Sequence, residues 1–348
     1  MRTPVRSAPV LFAVLFCLTG SAPPGATEPS ALEQRVEELE DKLETAAYAV
    51  DRLTKKVDDL LWFERVSDVA ELDKIYIPTV PNPRDEATYG IANERHPFKM
   101  YAYVFVPRQI DRGSKHPLLV FPHGGVHGDF DTYYTHIVRE MMQRGYVVIA
   151  PEYRGSTGYG RGYYEAIDYG GLEVEDVLAA RDWAVESLEF VDRLRVGILG
   201  WSHGGMIALL SVFDHPDKYQ AAYAGVPVSD LVARMGYQTQ DYRDLYSADY
   251  HIGKTVYEDV EEYRRRSPAW NAHKLRTPLL IHTSTNDRDV HVLEVEHLIK
   301  SLQAADKPFE YRIYEDAPGG HSFNRLDTRL ARESRAEIYE FLARYLKK

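Results

Sequence analysis

The chain has 348 residues, of which 44% are hydrophobic and 12% aromatic, enough to bury one large core with a smaller appendage. Its formal net charge of −11 at pH 7 argues against nucleic acid as a partner, because phosphate binding requires a basic face, and it disfavours a membrane surface. The single cysteine is Cys17, so neither a thiol nucleophile nor a cysteine-bound metal is expected in the remainder of the chain.

Residues 1–26 have the composition of a secretory signal peptide. Arg2 and Arg6 flank the start, the apolar run VLFAVLFCLTG follows, and SAPPGAT supplies the small residues of a cleavage site. This apolar run is too short to cross a bilayer as a helix. We expect cleavage near Ala26 and export to the periplasm or the medium, with an uncleaved N-terminal anchor as the alternative.

Residues 27–63 carry an unbroken heptad repeat that predicts a coiled-coil helix. Apolar residues recur at alternating steps of four and three over four heptads, with Val or Leu at a and mostly Leu at d, which favours two parallel strands. Arg35 and Glu40 fall at g and the following e, where one interchain ion pair fits. We expect a homo-oligomer through this helix, or else an amphipathic helix packed on the domain that follows it. The repeat comprises Leu32, Val36, Leu39, Leu43, Ala46, Val50, Leu53, Val57 and Leu60.

Two further regions follow in the chain. Residues 64–98 are rich in proline and scattered charge and are interpreted as a linker that runs into an edge strand. Residues 99–348 alternate short apolar runs with segments of helical spacing. This alternation predicts an α/β domain with a doubly wound, mostly parallel sheet, preceded by the N-terminal helix.

A candidate nucleophile occurs where a predicted strand meets a predicted helix. The stretch GWSHGG, residues 200–205, follows RVGILG and precedes MIALLSVF. A G-x-S-x-G pattern in this position indicates a strained turn that exposes the hydroxyl of Ser202, with the glycines removing Cβ atoms that would collide. The pattern alone is common by chance, and the strand–turn–helix context is what gives it weight.

Serine at neutral pH needs a base and an orienting carboxylate, and both are expected later in the chain on loops after strands. Asp287 and Asp289 follow the strand PLLIHTST, and His321 follows the strand FEYRIYE in a Gly-Gly turn. His321 is therefore the candidate general base. The spacing alone leaves Asp287 and Asp289 both open as the acid, with Asp287 preferred.

An oxyanion hole is expected from backbone amides. FPHGGVHG follows the first buried strand, so we predict that Gly125 donates one amide and His203, the residue after the nucleophile, donates the other. His123 and His127 are four residues apart, but no third ligand at metal-site spacing accompanies them. We therefore expect no metal and no cofactor.

Taken together, several motifs resemble the catalytic domain of the prolyl oligopeptidase family of serine peptidases over residues 99–348. The motifs are FPHGGVHG, APEYRGSTGYGRGYYEA, DYGGLEVEDVLAA, GWSHGGMIALL, AGVPVSD, SPAWNAHKLRTPLLIHTSTNDRDV and GGHSFNR. The resemblance implies an α/β-hydrolase fold with Ser202, Asp287 and His321 as the catalytic triad, and its spacing favours Asp287 over Asp289.

The chain departs from the family pattern in ways that affect specificity. The stretch before residue 99 is too short and too helical for the family's β-propeller, and the propeller glutamates of the dipeptidyl branch have no counterpart. His123 stands where several members have an oxyanion-binding tyrosine. The resemblance implies a substrate pocket whose candidate wall, alternatively read as packing residues, comprises Val126, Trp201, Val228, Met235, Tyr237, Tyr242 and Tyr246.

The sequence thus predicts a serine hydrolase that cleaves peptide bonds through an acyl-enzyme. A carboxylesterase acting on acyl or sugar esters is the main alternative, because the same triad serves both reactions. A non-catalytic scaffold organised by the coiled coil is the second alternative.

Overall fold

The computed structural model describes residues 31–83 and 97–347. The predicted signal peptide at residues 1–26 lies outside this described part. Within it, eight strands form one sheet in the order β1-β2-β4-β3-β5-β6-β7-β8. The strands are β1 Ala70–Thr79, β2 Phe98–Pro107, β3 His116–Val120, β4 Val147–Glu152, β5 Val191–Trp201, β6 Ala221–Gly225, β7 Leu279–Ser284 and β8 Phe309–Tyr314.

Helices connect the strands and precede them. The long α1 spans Ala31–Val66, and the remaining helices are α2 Thr135–Gln143, α3 Arg161–Tyr164, α4 Leu172–Ser187, α5 His203–Asp214, α6 Leu231–Tyr237, α7 Gln240–Ser247, α8 Val260–Arg265, α9 Pro268–Asn271, α10 Val292–Ala304 and α11 Arg329–Leu346. A short 3₁₀ turn at Gly320–Ser322 follows β8. Every helix and strand predicted in residues 99–348 has its counterpart here.

The direction of the strands follows from their burial. Strands β3 to β7 have almost continuously buried apolar residues and pair in parallel, joined by helical crossovers. The first two strands differ, since β1 pairs antiparallel with β2 and β2 pairs antiparallel with β4. This is the predicted doubly wound α/β fold, and it brings the carboxyl ends of β3, β5, β7 and β8 to one edge.

Helices cover both faces of the sheet, and each face has its own apolar core. On one face α4, α5 and α10 contribute Val177, Ile207 and Leu298. On the other face α2 and α11 pack with the end of α1, where Trp62 and Val66 are fully buried. The C-terminal end of α1 is therefore part of the catalytic domain's core.

The region before residue 99 differs from the prediction in one respect. Residues 64–98 are not simply a linker, because Ala70–Thr79 form the edge strand β1, paired with β2 from Ala70↔Pro107 to Thr79↔Phe98. The mixed charges of AELDKIYIPT obscured the strand, since an edge strand tolerates Lys, Asp and Pro that a central strand would not. Among the described residues, no helix is both long and apolar enough to cross a membrane.

Candidate active site

Ser202 lies at the sharp turn between β5 and α5, at the carboxyl edge of the sheet. Its backbone has φ 60° and ψ −122°, a left-handed conformation that costs a non-glycine residue about 1–3 kcal/mol. The Ser202 amide donates to the Gly225 carbonyl at 2.9 Å, and the Ser202 carbonyl accepts from the Met206 amide at 3.0 Å. These bonds hold the serine in the strained turn expected of a nucleophile, but Ser202 is only 7% exposed, so its hydroxyl is less open than the sequence predicts.

The positions on either side of Ser202 require glycine, because backbone segments approach each other there too closely for a Cβ atom. A Cβ atom on Gly200 would overlap the backbone of Gly204, and one on Gly204 would lie 2.6 Å from the His123 carbonyl oxygen. A Cβ on Gly124 would lie 3.5 Å from the Ser202 Cβ. The G-x-S-x-G pattern therefore packs the nucleophile turn directly against the loop after β3.

Asp287 and His321 form an oriented acid–base pair. Asp287 follows β7 and is buried, and its Oδ2 lies 2.7 Å from His321 Nδ1. Its Oδ1 accepts the backbone amides of Asp289 and Val290, each at 2.9 Å. Because the carboxylate is fixed by three bonds, the imidazole is held with Nδ1 towards Asp287 and Nε2 directed away from it.

The other side of the imidazole ring faces the second acidic candidate. His321 Nε2 lies 3.6 Å from Asp289 Oδ2, and Asp289 Oδ1 accepts from Nη2 of the buried Arg234 at 3.1 Å. The hydrogen bonds within residues 31–83 and 97–347 include none between the Ser202 hydroxyl and His321. The structure thus pairs Nδ1 with Asp287 and leaves Nε2 beside Asp289.

The loop that carries His321 is nevertheless hydrogen-bonded to the turn that carries Ser202. Trp201, which precedes Ser202, donates from Nε1 to Asn324 Oδ1 at 3.0 Å, and Asn324 lies three residues after His321. Gly319 and Gly320 have φ values of +99° and +50°, so the turn that carries the histidine requires glycine. Ser202 and His321 therefore lie on adjoining loops of one edge.

The two residues predicted to donate oxyanion amides, Gly125 and His203, lie on the loop after β3 and at the start of α5. The Gly124 amide is already bonded to the Tyr134 hydroxyl at 3.3 Å, and Gly125 follows with φ +91°. His203 is the first residue of α5, where an amide has no acceptor within its own helix. A Cβ on Gly204 would lie 2.6 Å from the His123 carbonyl oxygen, so the start of α5 packs against the loop that carries Gly125.

The two histidines of this loop are held by separate protein partners. His123 is buried, bonds Ser156 Oγ through Nε2 at 2.9 Å and stacks on Tyr153, and burial lowers its pKa to about 3. His127 bonds His251, Nε2 to Nε2, at 2.9 Å, and burial lowers its pKa to about 4. Within the described ranges, no three His, Cys, Asp or Glu side chains are arranged to hold a metal ion.

The predicted pocket residues divide into two groups. Trp201 and Val228 are buried in the two cores, as are Met235 and Tyr246, so these four side chains pack in the interior of the domain. Val126 is partly exposed and Tyr237 is 37% exposed, so both remain candidates.

A polar network around Arg234 was not anticipated from the sequence. Arg234 Nη1 donates to Tyr237 Oη at 2.9 Å and to Glu294 Oε1 at 3.0 Å, and Nη2 donates to Tyr242 Oη at 3.0 Å. Arg234 also bonds Asp289. Tyr237 and Tyr242, both predicted to line the pocket, therefore belong to a hydrogen-bond network that supports the loop after β7, which carries Asp289. An arginine in a short helix gives no sequence signal of this role.

The chain matches the sequence model of the prolyl oligopeptidase family over residues 132–348. It is 28% identical to an uncharacterized peptidase, YuxL, of Bacillus subtilis over 63% of this chain and 33% of that protein. It is 30% identical to the acylamino-acid-releasing enzyme of Mus musculus over 61% of this chain and 30% of that enzyme. The chain thus spans about a third of the length of these curated relatives.

Solved structures show the same fold. An acylaminoacyl peptidase of Pyrococcus horikoshii superposes with a TM-score of 0.67 at 22% identity, covering 80% of this chain and 42% of the other. A puromycin hydrolase superposes with a TM-score of 0.66 at 26% identity, covering 79% and 39%. The fold is therefore that of an α/β-hydrolase, and the chain belongs to the prolyl oligopeptidase family of serine peptidases.

Proposed function

We propose that the protein is a serine hydrolase that cleaves peptide bonds through an acyl-enzyme on Ser202. The observation that carries the proposal is the strained turn of Ser202 on one edge with the Asp287–His321 pair, whose Oδ2 and Nδ1 are 2.7 Å apart. Membership of a family of serine peptidases supports this choice of reaction.

In the first half of the reaction, His321 Nε2 takes the proton of the Ser202 hydroxyl while Oγ attacks the substrate carbonyl carbon. Asp287 stabilises the resulting imidazolium and keeps the ring in the productive tautomer. The tetrahedral intermediate then collapses, the C–N bond breaks, and the imidazolium gives its proton to the leaving amine. In the second half, water attacks the acyl-enzyme with His321 again as the base, which releases the carboxylic acid and restores Ser202.

The negative charge that forms on the carbonyl oxygen would be stabilised by the amides of Gly125 and His203. Each donor of this kind typically contributes about 10²–10³-fold in kcat. The buried His123 is neutral at physiological pH, since its pKa is lowered to about 3 by burial, and its Nε2 is committed to Ser156. The two backbone amides are therefore the proposed donors.

For the first proton transfer, Nε2 of His321 must turn from Asp289 towards Ser202. Catalytic hydrogen bonds in free enzymes are often long and tighten only when substrate is bound. Asp289 is half exposed and is retained by Arg234, so it can remain in place while the ring and the hydroxyl approach each other. In this proposal Asp289 is a neighbour of the base and not its orienting acid.

The substrate class is tested by turnover of a panel of short chromogenic peptides, including N-acylated ones, in parallel with p-nitrophenyl esters. Amide cleavage that disappears in Ser202→Ala is the expected result. Ester cleavage without amide cleavage across the panel would assign the carboxylesterase alternative, and no turnover of either class by folded protein would favour a non-catalytic scaffold.

The sequence of residues 1–26 supports the further proposal that the protein is exported and cleaved near Ala26. The intact mass of protein recovered from the periplasm of a bacterial host tests it. A mass lacking the first 26 residues is expected, and a full-length mass in the membrane fraction would support an uncleaved anchor.

A further inference from the structure

The first inference concerns the apolar face of α1, here called the seam. Eight leucines and valines of the heptad repeat have between 45% and 73% of their surface exposed. A continuous row of large apolar side chains along a 36-residue helix is not a usual free surface of a soluble protein. The eight are Leu32, Val36, Leu39, Leu43, Val50, Leu53, Val57 and Leu60.

The opposite face of α1 is the one that contacts the catalytic domain. Asp51 accepts the Gly158 amide at 2.5 Å, buried Lys55 bonds Asp129 at 2.7 Å, and Trp62 lies in the core. At about 100° per residue, Leu53 lies about 200° around the helix from both Asp51 and Lys55. The helix thus lies on its own domain, as the alternative expects, but it docks through its polar face, and the seam points away.

We infer that the seam binds the seam of a second copy of this chain as a parallel two-stranded coiled coil. The spacing of the seam is that of a and d positions, whereas the docked residues occupy b, c and f, the positions that a coiled coil leaves on its outside. Each catalytic domain would thus stand on the outside of the helix pair. Arg35 and Glu40 fall at g and e, where one chain complements the other.

Light scattering of the full chain after gel filtration tests the pairing. The seam variant carries Leu39→Glu and Leu53→Glu. The matched control carries Gln34→Glu and Thr45→Glu, which add the same charge at exposed f and c positions. Wild type and control are expected to have twice the mass of one chain, and the seam variant the mass of one. A monomeric wild type, or a seam variant that stays dimeric, would overturn the inference.

The second inference concerns the loop after β3, which carries Gly125, and it rests on the proposed function. Lys55 Nζ from α1 bonds Asp129 Oδ2 at 2.7 Å and the Phe130 carbonyl at 3.1 Å, and it pairs with the buried carboxylate of Glu152. Trp62 Nε1 also donates to the Phe130 carbonyl, at 3.2 Å. The far end of the loop is thus fastened to α1.

Glu152 contacts both ends of the same loop, at His123 and at Phe130. Its carboxylate lies 3.4 Å from His123 Nε2 and 3.3 Å from the Phe130 amide. Burial disfavours the charged form of Lys55, but the carboxylates of Glu152 and Asp129 raise its pKa above the ordinary value, so the amine stays charged. Gly125 lies between His123 and Phe130, the two residues of the loop that the Lys55–Glu152 ion pair contacts.

We propose that Lys55 is a positioning residue for the oxyanion hole, acting through Glu152 and Asp129 on the Gly125 amide. In this proposal α1, which lies before the family-matched residues 132–348, supplies a residue that positions the oxyanion hole of the catalytic domain. A misplaced oxyanion donor lowers the rate of the chemical step more than it weakens ground-state binding.

The test compares Lys55→Met, the double variant Lys55→Met/Glu152→Gln, and Lys56→Met, which changes the exposed neighbouring lysine. For the substrate that wild type turns over best, Lys55→Met should lower kcat by about 10- to 100-fold with KM changed less than about threefold. The double variant removes both buried charges, so it should recover thermal stability without recovering kcat. Lys56→Met should match wild type.

The outcomes separate this inference from the proposed function. If wild type shows no serine-dependent turnover, the proposed function fails first. If wild type is active and the double variant is stable with wild-type kcat, Lys55 has only a structural role and the inference is wrong. A rise in KM with unchanged kcat would equally contradict a role in the oxyanion hole.

Discussion

At the scale of single residues, the site depends on one strained serine and one imidazole with two carboxylates beside it. The placement of Ser202, Asp287 and His321 on loops of one sheet edge could be predicted, because each lies in a short motif after a strand whose position the topology fixes. Trp201 is a predicted pocket residue but lies in the core, because it precedes Ser202 and neighbouring residues at the end of a strand point to opposite faces. Lys55 could not be predicted, since a lysine at an f position is normally exposed.

The two carboxylates beside His321 should differ sharply in their effect on catalysis. Asp287→Asn should lower kcat by about 10⁴-fold, because the imidazole loses both its orienting acceptor and the partner of its charged form. Asp289→Asn should lower kcat by less than about tenfold, because Asp289 approaches Nε2 at 3.6 Å and is held by Arg234. Steady-state kinetics on one substrate check this, and the reverse order would make Asp289 the orienting acid.

The partly buried His127 should make the protein less stable in mild acid. Burial lowers its pKa to about 4 from the ordinary histidine value of 6.5, so between these pH values the unfolded chain binds more protons at this residue than the folded chain. Its contribution to the unfolding free energy therefore falls as pH drops from 6.5 to 4, by about 3 kcal/mol in all. Urea unfolding of wild type and His127→Gln at several pH values measures it. The variant should show a flatter pH dependence, and equal slopes would contradict the prediction.

At the scale of elements, the β5–α5 turn and α1 position the site. The strands and helices of the catalytic domain could be predicted because apolar runs and helical spacing alternate cleanly there. The edge strand β1 could not, since its sequence mixes Asp, Lys and Pro with apolar residues and its pairing with β2 is a tertiary property. The helical state of α1 follows from its heptads, but which face docks on the domain depended on partners distant in sequence.

Two helical glycines offer a matched test of the close approach at the β5–α5 turn. A Cβ on Gly204 would lie 2.6 Å from the His123 carbonyl oxygen, whereas a Cβ on Gly236 in α6 would meet nothing within 4 Å. Gly204→Ala should destabilise the fold by about 2 kcal/mol or more and lower activity by displacing the loop of Gly125. Gly236→Ala should stabilise it by up to about 1 kcal/mol, through the better helix propensity of alanine. Thermal unfolding of both variants measures these changes in stability. A Gly204→Ala variant as stable as wild type would contradict the close packing at this turn.

At the scale of the whole molecule, the parallel sheet gathers loops from distant parts of the chain at one edge. The loops after β3, β5, β7 and β8 carry Gly125, Ser202, Asp287 and His321, and α1 fastens the first of these from outside the sheet. The same helix carries the seam that we infer binds a second copy, so in this account assembly and catalysis would use opposite faces of one element. The seam variant should therefore lose the dimer and keep the kcat of the wild type at concentrations where both are folded.

The most direct test of the proposed mechanism is stoichiometric labelling with a fluorophosphonate, followed by mass spectrometry of the digested protein. One adduct per chain, on the peptide containing Ser202, is the predicted result. The adduct should be absent in Ser202→Ala and should form at least about 100-fold more slowly in His321→Ala, because the hydroxyl then lacks its base. A folded wild-type protein that takes up no label, or takes it up on a different residue, would contradict the assignment of Ser202 as the nucleophile.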